Sequence, residues 1–461
     1  MLDKGLVGEL IDEALAKGGD FAEVFMEDSY SSSLILGEKQ IKEAVSSQDR
    51  GVGIRVCKGG EIQAYAYTNK LDRDSLFKTA RQAAQGILEN REISGRGFEE
   101  VNFDNINPVK IPQQTVEKTE KAALLKEVSE LVFSAHPFVQ RTDGRYIEEY
   151  QYVTIANSNG LWASDNRERT RFFMSALVEN EGISETAGDN IGAMRGFELY
   201  DNWDKRDFAN KIADDAVRKL YAEYCPSGKM PVIINNKFGG VIFHEACGHA
   251  LEATALAKKS SVFQDKLGQQ IASSLVTAID DGTLPGAWGS LTIDDEGIKT
   301  QRNVLIENGI LTGYLIDSFN GKKLGFKPTG SCRRESYRYV PTSRMNNTFI
   351  TNGKSSLQDI ISNTEYGLFA SKMSGGSVNP ATGDFNFSVS EAFIVENGKI
   401  KQQVKGAKLI GKGEDILHNI DMVGNNLELA CGVCGSISGS VPTTVGQPAI
   451  RVKEILVGGQ K

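Results

Sequence analysis

Four histidines serve a chain of 461 residues, so any imidazole chemistry must draw on a very small pool. Basic runs are missing too. No more than two Lys or Arg stand together, and 52 basic against 60 acidic residues leave a formal charge of −8. Nucleic-acid modules carry a basic stripe, so contact with nucleic acid is not expected. No stretch of about 18 residues runs apolar and uncharged, so a membrane span is not expected either. The opening MLDKGLVGELIDEALAKGGD has acids where a secretory signal needs a basic start and an unbroken apolar run. The six cysteines (Cys57, Cys225, Cys247, Cys332, Cys431 and Cys434) then read as reduced thiols or metal ligands, and the cytoplasm is the expected compartment. Proline is sparse, 11 against 48 glycines, and 30 of those glycines follow residue 225, which suits short strands and tight turns.

What is present is globular: 40% hydrophobic and 24% charged residues over a length that exceeds one ordinary core. Leu2, Leu6, Val7, Leu10, Ile11, Ala14 and Leu15 recur at helical spacing, predicting a helix over residues 4–17. FAEVFMED, SSSLILGE, GVGIRVCKGG and EIQAYAYT alternate as strands of an antiparallel meander. Helical period returns over 73–90, 115–135 and 204–223, with strands between about 146 and 195. After CPSGKMP (225–231), a short strand feeds a helix over about 237–257, and strands dominate thereafter apart from helices near 355–363 and 414–418. The expected architecture is α+β in two domains, 1–227 and 228–461, the second strand-rich and carrying the chemistry.

Two of the four histidines share one window, VIFHEACGHALEAT, which sets His244 beside Glu245 and His249 five residues after His244. On a regular helix a step of five is about 140° of rotation, against about 40° for the i,i+4 pair of common zinc peptidases. The two imidazoles share a face only if the turn is distorted; a π-bulge would do it, with Gly248 giving backbone freedom. Neutral imidazoles suit Zn²⁺, and a catalytic zinc takes three protein ligands and keeps a fourth position for water. Glu245 is the candidate general base, drawing a proton from that water and passing it to a leaving amine. The third ligand is expected to be a cysteine, with Cys431 and Cys434 of the Gly-rich segment ACGVCGSISG both available. A closed structural site using both cysteines is the alternative, while Cys247 reads as a small buried hydrophobe.

Beyond this motif the second half resembles the TldD/PmbA family, specifically its TldD branch. The likeness is carried by HEACGHALE (244–252), SSLVTAIDDGTLPGAWGSLTIDDEG (273–297), TQRNVLIENGILTGYLID (300–317), KPTGSCRRESY (327–337), MVGNNLEL (422–429) and VGQPAIR (445–451). The resemblance implies a zinc metallopeptidase acting on unfolded or extended peptides. By position it makes His244, His249 and Cys434 the ligands, ahead of Cys431, and Glu245 the base. It implies a dimer, either with a PmbA-like chain that lacks the motif or with a second copy. A non-catalytic assembly subunit with a structural metal is the alternative, and a role around DNA machinery, attached to the family's name, is disfavoured by the acidic charge. The chain departs from the family at Ser436, Ser438-Gly439, Ala250 and Ala253-Thr254.

Other residues carry weaker signals. Arg333 and Arg334 could clamp a peptide carboxylate or pair with Glu335. Glu252 could orient a ligand histidine. Asp294, Asp295 and Glu296 read as solvated acids at a hairpin turn. Tyr337 and Tyr339 could serve an oxyanion or simply pack.

Overall fold

A computed structural model describes residues 2–87, 97–379 and 382–459. The fold is α+β, as expected. Seven strands build the first sheet: β1 (Phe21–Gly37), β2 (Gln40–Lys58), β3 (Ile62–Thr68), β4 (Glu99–Val101), β5 (Val139–Asn157), β6 (Leu161–Asn180) and β7 (Ile183–Ala193). Their order is β3-β2-β1-β5-β6, and both β4 and β7 pair with β6. Helices α1 (Lys4–Leu15) and α2 (Arg73–Ala84) cover one end, and α3 (Lys118–Ala135) and α4 (Lys205–Leu220) the other. Residues 88–90 of the helix expected over 73–90 lie outside the described residues.

Alternation along β1 explains how this sheet meets the rest of the chain. Val24 and Met26 face α1 and α2, whereas Phe25 on the opposite side joins Ile293 and Tyr337 of the second half in one apolar cluster. Glu23 and Glu27 share the Phe25 side and are buried there. Gly51 of β2 is needed at this contact, because a Cβ would stand 2.1 Å from the Tyr337 ring.

The second half holds two larger sheets. One contains β8 (Glu223–Tyr224), β9 (Gly228–Ile234), β16 (Tyr366–Val378), β17 (Asp384–Glu396), β18 (Lys399–Lys405), β19 (Lys408–Lys412), β20 (Ile420–Val423) and β23 (Ile450–Gly458). Within it β16, β9, β23, β19 and β17 pair in sequence and β17 pairs back to β16, closing a five-stranded barrel. The other runs β12 (Ile310–Leu311), β11 (Arg302–Glu307), β10 (Ala278–Asp281), β15 (Asn347–Ile350), β22 (Gly439–Gln447) and β21 (Glu428–Ser436). A small pair, β13 (Cys332–Arg333) and β14 (Thr342–Ser343), lies apart. The large apolar core of this half gathers residues from both larger sheets and from the segment that bears the two histidines. No helix among the described residues is long and apolar enough to cross a membrane.

Candidate metal centre

The histidine segment is not one helix over 237–257. A 3-10 turn, Lys237–Gly240, leads into α5 (Val241–Ala246); a second 3-10 turn, Gly248–Leu251, follows, and then α6 (Ala253–Ala257). Val241, Ile242 and Phe243 are buried in the core and anchor α5. The expected distortion is present, but it is a break rather than a π-bulge. Cys247 leaves helical geometry at φ −129 and ψ −46, and the tighter 3-10 turn brings His249 back beside His244. The two rings end with centroids 5.1 Å apart. Gly248 lies against Met345, where a Cβ would come within 2.2 Å of Sδ.

Cys434 approaches from β21, held in register opposite Val441 of β22. Its Sγ lies 3.2 Å from Nε2 of His244 and 3.2 Å from Nε2 of His249. Three donor atoms therefore converge, all within 4.8 Å of one another. Zn–S and Zn–N bonds of about 2.3 and 2.0 Å put tetrahedral ligand atoms about 3.5 Å apart; the two sulfur–nitrogen separations lie close to this, and the donor set suits zinc in its chemistry. Cys431 is elsewhere. Three residues back along the strand it faces the first sheet, and its thiol donates to Asn190 Oδ1 at 2.9 Å. A four-ligand site using both cysteines is not what this arrangement offers.

Charge in the centre is tuned by contact. Burial would raise the Cys434 thiol, but the charge of His244 and hydrogen bonds from both imidazoles outweigh it and bring it down to about 3. A thiolate is the form that ligates. Burial disfavours charge on His249, yet the Glu252 carboxylate and the Cys434 sulfur more than compensate, and its pKa lies well above the ordinary value. Glu252 Oε1 is 3.2 Å from His249 Nδ1, the contact that fixes which ring nitrogen faces the cluster. Glu245 is partly exposed, with a carboxylate oxygen 3.8 Å from His249 Nε2. His136 and His418 are not among the clustered donors.

One residue here carries no signal in the sequence. Arg344 is fully buried and donates to the Cys434 carbonyl, to Ser438 Oγ at 2.8 Å and to the Gly439 carbonyl at 2.9 Å. Its Nε lies 4.0 Å from Glu252. It thus ties the strand of one donor to the carboxylate behind another. Within TSRMNN nothing marks this arginine; only its burial does.

Two expectations change, and for Tyr337 the packing alternative holds. Asp294, Asp295 and Glu296 are buried, not solvated: Glu296 pairs with Arg55 at 2.8 Å and Asp295 with Arg167 at 2.7 Å. Arg334 pairs with Glu23 of β1 at 2.6 Å rather than with Glu335. Tyr337 packs between the halves, donating its hydroxyl to Asp49 at 3.0 Å.

Similarity to known proteins points the same way as this geometry. Three profiles of one family match in chain order: PmbA/TldA metallopeptidase domain 1 at residues 22–86, the central domain at 111–222 and the C-terminal domain at 227–459. A metalloprotease TldD homolog of Haemophilus influenzae is 39% identical over 95% of this chain and 93% of its own length. A protein of Saccharolobus solfataricus named zinc metalloprotease TldD homolog is 24% identical over 97% and 99% of the two chains. Among solved structures, a Thermotoga maritima protein described as a putative modulator of a DNA gyrase superposes with a TM-score of 0.80 at 20% identity, covering 98% and 99% of the chains. TldE from Thermococcus kodakarensis gives 0.76 at 20% identity over 98% and 100%. The structural likenesses speak for the fold, the profiles and the relatives for descent, and together they make the chain a member of the PmbA/TldD metallopeptidase family.

Proposed function

We propose that this chain is a zinc-dependent peptidase that hydrolyses unfolded or extended peptides, with His244, His249 and Cys434 holding the metal and Glu245 as general base. The observation that carries this reading is the convergence of two imidazole nitrogens and one thiolate within 4.8 Å, with the partly exposed Glu245 carboxylate beside them. Zinc, when bound, supplies Lewis-acid polarisation of a peptide carbonyl and of water. Glu245, being partly exposed, can take a proton from a water and deliver it to the leaving amine. Glu252 keeps His249 in one tautomer, and the Cys434 thiolate offsets one unit of metal charge.

Extended substrates suit the surroundings. β21, which bears Cys434, ends its sheet on one side, and Leu429 and Val433 on it are exposed. A strand edge recognises backbone rather than side chains, so broad sequence tolerance follows. The partner is a PmbA-like chain or a second copy. The division into 1–227 and 228–461, and a reducing cytoplasmic setting suited to a free Cys434, belong to the same reading.

Elemental analysis and a peptide-cleavage assay test it together. About one zinc per chain is expected, lost in Cys434→Ser and kept in Cys431→Ser. Glu245→Gln is expected to keep the metal and lose cleavage; unchanged cleavage by that variant would refute the mechanism.

A further inference from the structure

The interface between the two halves is rich in buried arginine, and nearly all of it is paired. Arg55 meets Glu23 and Glu296, Arg167 meets Asp165 and Asp295, and Arg334 meets Glu23. Two arginines break the pattern. Arg169 and Arg333 are 4% and 2% exposed, and among the described residues neither forms an ion pair. Each spends one donor on a backbone carbonyl: Arg169 on Trp288 at 3.1 Å, and Arg333 on Met345 at 2.9 Å.

Both line one cavity of about 420 Å³ between the first sheet and the second half. Arg169, Arg344 and Arg167 act on Arg333 as like charges, while Asp295 and Asp280 oppose them from beyond ion-pair distance. Burial first, and then these like charges, bring Arg333 down to about 9; burial brings Arg169 down to about 10. The cavity also has acids. Asp49 is engaged by Arg338, Asp295 by Arg167, and Glu335 by the Ser440 amide. Glu27 accepts from Gln151 and the Tyr337 amide, and Glu149 acts on Arg169 only from beyond ion-pair distance. Unpaired buried guanidinium is costly, several kcal/mol per ion in general, and a fold that keeps two of them facing open volume has built a cradle for an anion.

We infer that Arg169 and Arg333 form a carboxylate-binding site in this cavity, taking a carboxylate of a peptide. The guanidinium fork matches a planar carboxylate through paired hydrogen bonds, which an amide cannot reproduce with charge. The wiring relates this site to the metal centre. Trp288, which holds Arg169, donates its Nε1 to the Gly432 carbonyl at 2.7 Å, two residues from Cys434. Met345, which holds Arg333, packs on Gly248 between the histidines. The inference deepens the peptidase reading and takes its ligand class from it.

Binding can be measured without cleavage. In Glu245→Gln protein, with and without a chelator, fluorescence anisotropy would follow dansyl-trialanine as free acid and as amide. The free acid is expected to bind about tenfold more tightly or better, the equivalent of one good charge-assisted contact. That preference is expected to collapse in Arg333→Gln and, separately, in Arg169→Gln, and to persist in Arg338→Gln at the exposed rim. Dansyl-Ala-Glu-Ala amide separates the two sources of a carboxylate. Affinity equal to the free acid means the site takes acidic side chains as well as chain ends; affinity equal to the trialanine amide confines it to the terminus. Either outcome supports the site. Equal binding of acid and amide to protein with both arginines intact overturns it, whatever the folding of the variants. That failure leaves the peptidase reading untouched, because cleavage is tested separately through Glu245.

Discussion

Replacing Arg344 with Met tests whether the metal centre is held from behind. The side chain is fully buried, and Met fills a similar length without charge. Three acceptors lose their donor: the carbonyls of Cys434 and Gly439, and Ser438 Oγ. Glu252, itself 5% exposed, loses the guanidinium 4.0 Å away and keeps only His249. Breaking a buried charge pair by removing one partner costs about 3–5 kcal/mol, because the survivor stays buried. Hydrogen bonds from a charged donor are worth about 1.5–3 kcal/mol each, so three sum to about 4.5–9 kcal/mol and the two ranges meet near about 5 kcal/mol. We therefore expect Arg344→Met to lose about 3–5 kcal/mol in denaturant unfolding with chelator present, where zinc adds nothing. Folded Arg344→Met should also bind zinc about 10–100-fold more weakly in a competition titration, as supporting residues around metal ligands do. Arg344→Lys keeps charge but cannot span three acceptors, so it should fall between. Arg338→Met is the control: it removes an exposed pair with Asp49 and should cost under about 1 kcal/mol. A loss for Arg344→Met no larger than that control, with zinc affinity unchanged, would refute the support assigned to it.

Two further outcomes follow from packing and burial. Gly248→Ala sets a Cβ 2.2 Å from Met345 Sδ, so a loss of about 1–3 kcal/mol is expected, and a much smaller loss when the same change is made in a Met345→Ala background; an equal loss in both backgrounds would place the strain in the backbone instead. Asp280 is fully buried, and burial raises it to about 6 against hydrogen bonds from Thr348 and Asn346. Its folded value exceeds its unfolded one near 3.9, so its contribution is full below about pH 4 and is lost as pH rises through about 6, a gap of about 3 kcal/mol. Asp280→Asn should therefore gain on wild type in unfolding free energy between pH 4 and pH 7.5; a constant difference would sink the assignment.

Much of the fold and part of the site are legible in the order of residues alone. Helical period locates α1, α3 and α4 within a few residues, because each buries a single stripe against the sheet. The H-E-x-x-x-H spacing demands a distorted turn, and one is there; spacing cannot distinguish a bulge from a break, since that choice depends on Met345 a hundred residues away filling the space at Gly248. Cys434 ranks above Cys431 in the sequence only through family resemblance. Strand geometry supplies the physical reason: residues three apart face opposite sides, so one thiol reaches the histidines and the other reaches Asn190.

The illegible part is electrostatic and long-range. In FAEVFMED the charged positions alternate with apolar ones as on a half-solvated strand, yet Glu23 and Glu27 are buried because a second half covers that face. Glu23 meets Arg334 across 311 positions, a separation at which no local pattern operates. The same holds for Arg344 and for the unpaired Arg169 and Arg333, whose meaning lies in which carboxylates are near them and which are not. The metal centre shares this dependence: His249 and Cys434 stand 185 positions apart and meet only after both sheets of the second half have formed. On the proposed site, zinc affinity would therefore measure the closure of that half as much as the quality of the donors, because loop closure must already be complete before they converge. A substitution far from the metal that loosens β21 against β22 should weaken zinc without touching a ligand, and one confined to the solvent face of α1 should not.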